Sequence, residues 1–205
     1  EDHACSQLEK EQSKIIRDLV TAARAKGQVS IRYAKHTIRI PDDLDTKCPD
    51  NAAAFFKVHV PGLLIHPVYQ WIGGSADGIV FVLGVAIAIL EIKCPATKRL
   101  YPLIPLQYAD QMYLNMMVWN FNIAFFYVWT PTGSSTDIFI QNKSYLKKVL
   151  LPALTKNFFE YTVPTATEYM HNMIDEDIQN IDMDKKKKKK KKKVKICLEE
   201  EEEKP

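Results

Sequence analysis

The spacing of apolar and polar residues divides the chain into alternating helical and extended stretches. Residues 6–26 place Leu8, Ile15, Ile16, Leu19, Val20 and Ala23 at helical intervals, which predicts a helix. Residues 28–49, with Gly27 in front, Pro41 within and acidic Asp42, Asp43 and Asp45, read as a strand-like piece followed by a loop. Pro49-Asp50 marks the start of a short expected helix over Asn51–Val58, with Asp50 as its cap and Pro61-Gly62 beyond its end. Ile65–Ile72 suits a strand leading to Gly73-Gly74. Next come Gly78–Leu83 and Val85–Lys93, rich in Val and Ile, with Gly84 between them. Their nearly unbroken apolar pattern predicts an antiparallel hairpin buried on both faces.

Pro95, Pro102 and Pro105 mark a loop, after which a helix is expected from Leu106 to about Asn120. An aromatic strand over Phe121–Thr130, a turn at Pro131–Ser135 and a strand over Asp137–Gln141 follow. Residues 143–160 read as an amphipathic helix carrying Tyr145, Leu146, Val149, Leu150, Leu154 and Phe158, and 164–181 as one more. Helix, three strands, helix, two strands, helix is the order of an α/β fold, a mixed central sheet with helices on its faces.

Composition adds a division the periodicity does not show. The 205 residues suffice for one domain with a sizeable core, and 46% hydrophobic with 26% charged content is ordinary for a globular chain. The net charge of +3 comes from one end. Residues 185–205 hold 11 lysines and five glutamates, leaving 17 basic and 20 acidic residues in 1–184. The body is therefore not basic, and any nucleic-acid surface on it must be local. The tail cannot bury a core and is expected to be disordered. Its lysine tract reads as a solvated low-complexity expansion, a nuclear-import or nucleic-acid tail, or a membrane-surface tether. Three regions result: an N-terminal helix and loop (1–49), a core with C-terminal helices (50–184), and the Lys/Glu tail (185–205). The chain opens on Glu rather than Met, so its front end reads as truncated.

The longest apolar run near the hairpin, Gly78–Leu90, is 13 residues, too short to span a bilayer, so no membrane role is expected. Nothing reads as a signal peptide. Four cysteines with no C-x-x-C pair and no His at zinc-ligand spacing give no disulfide framework, so a reducing, intracellular setting is expected. An iron–sulfur cluster is not expected either, because Cys5 and Cys197 fall in weakly structured ends.

Candidate chemistry lies at the ends of the hairpin strands. Glu91 and Lys93 are two apart on a strand, so their side chains leave the same face, where charges are costly unless compensated. Antiparallel pairing brings Asp77, at the start of the preceding strand, beside Glu91. The two carboxylates with the Ile92 backbone carbonyl form a half-shell of hard oxygens suited to Mg²⁺, for which Mn²⁺ can substitute. A cation there lowers the pKa of a bound water and offsets phosphate charge, and Lys93 orients the water or stabilises the developing charge. Gly73-Gly74 before Asp77 and Gly78 after it allow close backbone approach.

Ser75-Ala76-Asp77-Gly78-Ile79-Val80 followed by Leu90-Glu91-Ile92-Lys93-Cys94-Pro95 resembles the PD-(D/E)XK nuclease superfamily. Within it, the chain is most similar to the lambda-exonuclease, or YqaJ-like viral recombinase, branch. That branch follows the strand motifs with a helix patterned Tyr-x-x-Gln-x-Gln-x-x-Met and an aromatic strand ending near Trp-Thr-Pro. Here Tyr108-Ala-Asp-Gln111-Met-Tyr113-Leu-Asn-Met116 and Phe125-Phe-Tyr-Val-Trp129-Thr-Pro131 stand in those places, so the resemblance spans residues 50–160. It implies a restriction-endonuclease-like fold, Asp77 and Glu91 as metal ligands, Lys93 as the catalytic lysine and Gln111 as a supporting group near metal or DNA. It further implies a 5′-to-3′ exonuclease acting on double-stranded DNA ends in recombination, repair or viral DNA processing, a trimeric ring and a single-strand annealing partner. An endonuclease of the same superfamily and a catalytically impaired DNA-binding module are the alternatives. Ala76 replaces the motif proline, Tyr113 stands where a second glutamine is usual, and the N-terminal 5′-phosphate motif is not recognisable in 1–40.

Other residues carry two readings each. Asp50 is a helix cap or an additional metal ligand. Lys98 and Arg99 grip phosphates or form a solvated pair, and Ser75 belongs to the same DNA-facing loop set. Tyr108 and Trp71 stack on bases or fill the core. Met112, Met116 and Met117 read as packing, His66 as structural, and Cys94, by alternation along its strand, as core.

Overall fold

The computed structural model describes residues 2–44, 55–97 and 99–174. They fall into two compact units, Glu1–Leu146 and Lys147–Pro205. The first holds helix α1 (Asp2–Ala25), a small hairpin β1 (Ser30–Tyr33) and β2 (His36–Arg39), and strands β3 (Phe56–His59), β4 (Leu64–Ile65) and β5 (Gly73–Gly74). Strands β6 (Gly78–Val82) and β7 (Val85–Lys93), helix α2 (Leu106–Val118), strands β8 (Ile123–Thr130) and β9 (Gly133–Ile140) and helical turn α3 (Lys143–Tyr145) complete it.

The central sheet has five strands in the order β3-β6-β7-β8-β9, and it is mixed. β7 pairs antiparallel with β6 and parallel with β8, the crossover between them being α2. β7 lies at the centre of the sheet, and its residues Ile87 to Ile92 are all buried, which is why its sequence is apolar without alternation. One face carries Leu90, Ile92, Phe125 and Tyr127 against Leu8, Ile16 and Val20 of α1. The other packs Ile89, Ala124, Phe126 and Val128 against Met112 and Met116 of α2. This is the α/β arrangement expected, a mixed sheet with helices on both faces. Two carboxylates of α1 reach down to opposite edges of the sheet. Glu9 accepts a 2.8 Å bond from the Val58 amide of β3, and Glu11 accepts one of 3.0 Å from the Ser134 hydroxyl of β9. The first satisfies an outward-facing edge N–H that would otherwise be open for pairing.

The hairpins close on two-residue turns. Leu83 and Gly84 between β6 and β7 take φ of 49° and 81°, and Ala34 and Lys35 between β1 and β2 take 45° and 69°. Such left-handed pairs match the twist of the flanking strands. The second turn splits the strand-like piece expected at 28–49 into two.

Several expectations are corrected. The helix expected over Asn51–Val58 gives way to strand β3 from Phe56 to His59. Its Phe56 and Val58 are buried and Lys57 and His59 exposed, the two-residue alternation of a half-buried edge strand. Asp50, the expected cap, lies outside the described residues. The strand expected over Ile65–Ile72 is only Leu64–Ile65, pairing with Gly73–Gly74. Between them His66 Nδ1 accepts from the amides of Val68 (3.1 Å) and Tyr69 (3.0 Å), turning the chain after Pro67. β9 begins at Gly133 rather than Asp137, so Pro131-Thr132 is the whole turn. Cys94 is exposed, not core, because β7 ends at Lys93 and alternation stops there.

In the second unit the helical backbone alternates an α segment, Leu151–Asn157, with π turns at Leu146–Leu150 and Phe158–Thr162, and residues 163–174 are helical. The helix expected at 143–160 is present as a continuous helical run with two π turns in it; Leu146 and Leu150 are buried and Val149 is exposed. The disorder expected for 185–205 lies outside the described residues. Among the described residues, no helix is long and apolar enough to cross a membrane.

Gly78 starts β6 where a Cβ would lie 2.4 Å from Val58 Cγ1 and 3.3 Å from Leu90 Cδ2. Gly78→Ala should therefore cost about 1–3 kcal/mol of stability in urea denaturation through overpacking. Gly133→Ala, with nothing within 4 Å, should be close to neutral in the same measurement.

Candidate active site

The register of the β6–β7 hairpin decides what meets at its open end. Gly78 pairs with Leu90 in an antiparallel ladder, so Asp77, one residue ahead of Gly78, lies opposite Glu91. Its Oδ2 accepts a 2.7 Å bond from the Ile92 amide. In an extended strand the N–H and C=O of one residue face the same side, so the Ile92 carbonyl is directed to the side Asp77 occupies. Glu91 and Lys93 leave β7 on the opposite face from Ile92, toward α2, and the in-register neighbours of the pair on β8 are Phe126 and Val128.

Glu91 has no solvent exposure. Its Oε1 is paired with Lys93 Nζ, while its buried Oε2 has no hydrogen-bond partner. A carboxylate oxygen in that condition is rare, because an unsatisfied buried charge is costly. Its carboxyl is held above the ordinary value. Loss of hydration on burial is the main cause, and the Asp77 charge adds to it. Lys93 and Asn115 draw it the other way without cancelling the effect. Lys93 also sits over the Tyr108 ring, Nζ 4.9 Å from the centroid, a cation–π contact that fixes the ammonium from its far side. Tyr108 in turn packs on Tyr101 and Phe126, each at a 5.8 Å centroid distance.

Asp77, Glu91, the Ile92 carbonyl and Lys93 are thus together. The other candidates are distributed differently. Tyr108 is part of the aromatic wall under Lys93 and is half-buried. Ser75 is exposed, and its carbonyl accepts from Asn115 Nδ2 at 3.5 Å. Gln111 is exposed on α2, and Arg99 is exposed on the loop after β7. Lys98 and Asp50 lie outside the described residues. Trp71 meets the Tyr69 ring edge-on. Two groups absent from the sequence reading belong here, Asn115 and Tyr101. The available signal was Asn115 itself, a polar side chain on the α2 stripe of Ala109, Met112 and Met116 that packs inward.

The donor set fits a hard divalent cation. Asp77, Glu91 and a backbone carbonyl offer oxygen only, and Glu91 Oε2 is an oriented, unsatisfied acceptor. Among the described residues no cluster of three or more His, Cys, Asp or Glu could hold a metal. Oxygen donors of this kind are those that Mg²⁺ or Mn²⁺ takes, with one or two carboxylates and retained water, rather than those of a thiolate or imidazole site.

No family model matches the chain, and no curated protein matches it. Among solved structures it is similar to the alkaline exonuclease LHK-Exo from Laribacter hongkongensis, with 20% identity and a TM-score of 0.39. That alignment covers 56% of this chain and 64% of LHK-Exo, so the chain spans less than two thirds of that protein. The structure of LHK-Exo in complex with dAMP aligns with 18% identity and a TM-score of 0.39, covering 74% of this chain and 84% of that one.

The raised Glu91 carboxyl has a thermodynamic consequence in the metal-free chain. A native pKa above the ordinary 4.5 means the folded state binds that proton more tightly than the unfolded one. Stability then falls as pH rises from about 4.5 through the raised native value, and is level above it. Glu91→Gln removes this loss. Melting temperatures in EDTA should coincide near pH 4 and separate by a few degrees in favour of Glu91→Gln at pH 8; a pH-independent gap would contradict the assignment.

Proposed function

We propose that this chain is a metal-dependent nuclease that hydrolyses phosphodiester bonds of DNA. The observation that carries the reading is the buried, unpartnered Oε2 of Glu91 beside Asp77 and Lys93 at one end of the sheet. A carboxylate pair with a lysine held next to it is an arrangement for a cation and a phosphate together. A structural ion pair would instead satisfy both oxygens of Glu91.

Asp77, Glu91 and the Ile92 carbonyl would hold Mg²⁺ or Mn²⁺, which when bound acidifies water and screens phosphate charge. Each residue then has a separate task. Asp77, on the loop just ahead of β6, accepts from the Ile92 amide, which fastens it to the same hairpin that carries Glu91. Lys93, held by Glu91 and the Tyr108 ring, has N–H donors to offer a phosphoryl oxygen or the attacking water. The low dielectric around Glu91 strengthens these interactions. Tyr108 and Tyr101 offer partly exposed rings beside Lys93 on which a base or sugar can rest.

The resemblance to the lambda-exonuclease branch supports the finer form of the proposal, a 5′-to-3′ exonuclease acting on double-stranded ends. Linear DNA labelled at each end, offered with Mg²⁺, with EDTA and to Lys93→Ala, tests both levels. EDTA should abolish degradation, and Lys93→Ala should slow it about 10²–10³-fold, the usual effect of removing one transition-state donor. Equal degradation under all three conditions would remove the site. Nicking of closed circular DNA would replace the exonuclease with an endonuclease.

A further inference from the structure

We propose that Asn115, together with Trp119 one turn further on, is the positioning device of this site. It ties the loop bearing Asp77 to α2 and so sets where that carboxylate stands relative to Glu91 on β7. The inference rests on the metal-site reading above and concerns residues that neither the motifs nor the resemblance assigned.

Asn115 is 3% exposed and stands among the apolar inward residues Ala109, Met112 and Met116 of α2. A buried amide persists only when it is bonded, so its partners define its use. An amide nitrogen carries two N–H groups. One is directed at the Ser75 carbonyl, 3.5 Å away and two residues ahead of Asp77. Asn115 therefore anchors the Asp77-bearing loop to α2.

The grip on the loop is double. Trp119 Nε1 donates to the Gly74 carbonyl at 3.3 Å, so α2 holds two consecutive carbonyls, those of residues 74 and 75, just ahead of Asp77. The approach is close enough that a Cβ on Gly74 would fall 2.7 Å from Asn115 Oδ1 and 3.2 Å from Val118 Cβ. Only glycine lets the helix come this near. Gln111, the amide that the resemblance nominated for support, is exposed one turn earlier on the same helix, and Asn115 takes the supporting place.

Removing such an orienting partner lowers metal affinity by about 10–100-fold without removing a ligand. Mn²⁺ titrated calorimetrically into the full chain should bind at least about tenfold more weakly to Asn115→Ala than to wild type. In DNA degradation the Mn²⁺ concentration for half-maximal rate should rise in parallel, with kcat at saturating Mn²⁺ within about threefold of wild type. Loss of packing alone would not produce that split. Wild type that binds Mn²⁺ alongside a folded Asn115→Ala that binds it equally well overturns this inference alone. Wild type that binds none overturns the metal reading and this inference with it. Should Asn115→Ala not fold, Trp119→Phe keeps an aromatic side chain in the core and removes the bond to Gly74; it should weaken Mn²⁺ binding several-fold, and unchanged affinity there overturns the proposal.

Discussion

Ionised carboxylates avoid the interior because the hydration they lose is worth several kcal/mol even after the surroundings relax. Glu91 is fully buried on the central strand of the sheet, and one of its oxygens has nothing to bond. Everything else about the site is arranged around that side chain. Lys93 neutralises it from the same strand face, Tyr108 backs the lysine, and Asn115 approaches from α2. Asp77 adds a second negative charge instead of relieving the first, raising the Glu91 pKa further. Two like charges brought together in a dry place make physical sense when a cation completes the set.

The sheet is what can hold such an arrangement. β7 is flanked by strands on both sides and by helices on both faces, so Glu91 cannot swing out to water. The Gly78–Leu90 register sets Asp77 opposite Glu91 and within reach of the Ile92 amide, and a one-residue slip would send Glu91 and Lys93 to the α1 side. Bulky apolar residues in that register, Phe125 and Tyr127 on one face and Phe126 and Val128 on the other, make the slip costly. The stability of the core and the geometry of the site are thus one constraint.

The hairpin and the convergence of Asp77, Glu91 and Lys93 were legible because a strand buried on both faces leaves an unbroken apolar run, and charges at its end stand out. β3 was not, because Asn51-Ala-Ala-Ala is locally helix-compatible and only pairing with β6 makes Phe56–His59 extended. The segment 65–72 looked like a strand by composition, yet the His66 side chain competes for its amides and Pro67 breaks it. Cys94 was misplaced by carrying alternation one residue past the end of β7. Asn115 was invisible for a different reason. Periodicity marks which stripe of α2 faces inward, but not which residue on it lies over Gly74 of β5, where the absence of a side chain draws the helix close. Gln111, favoured by motif, is exposed one turn earlier on the same helix.

The central claim is that Asp77 and Glu91 share one divalent cation, and an anomalous difference map from crystals grown with Mn²⁺ tests it most directly. A peak about 2.1 Å from an oxygen of each carboxylate, satisfying Glu91 Oε2, is the expected result. A map with no peak there, Glu91 remaining paired to Lys93 alone at saturating Mn²⁺, would contradict it.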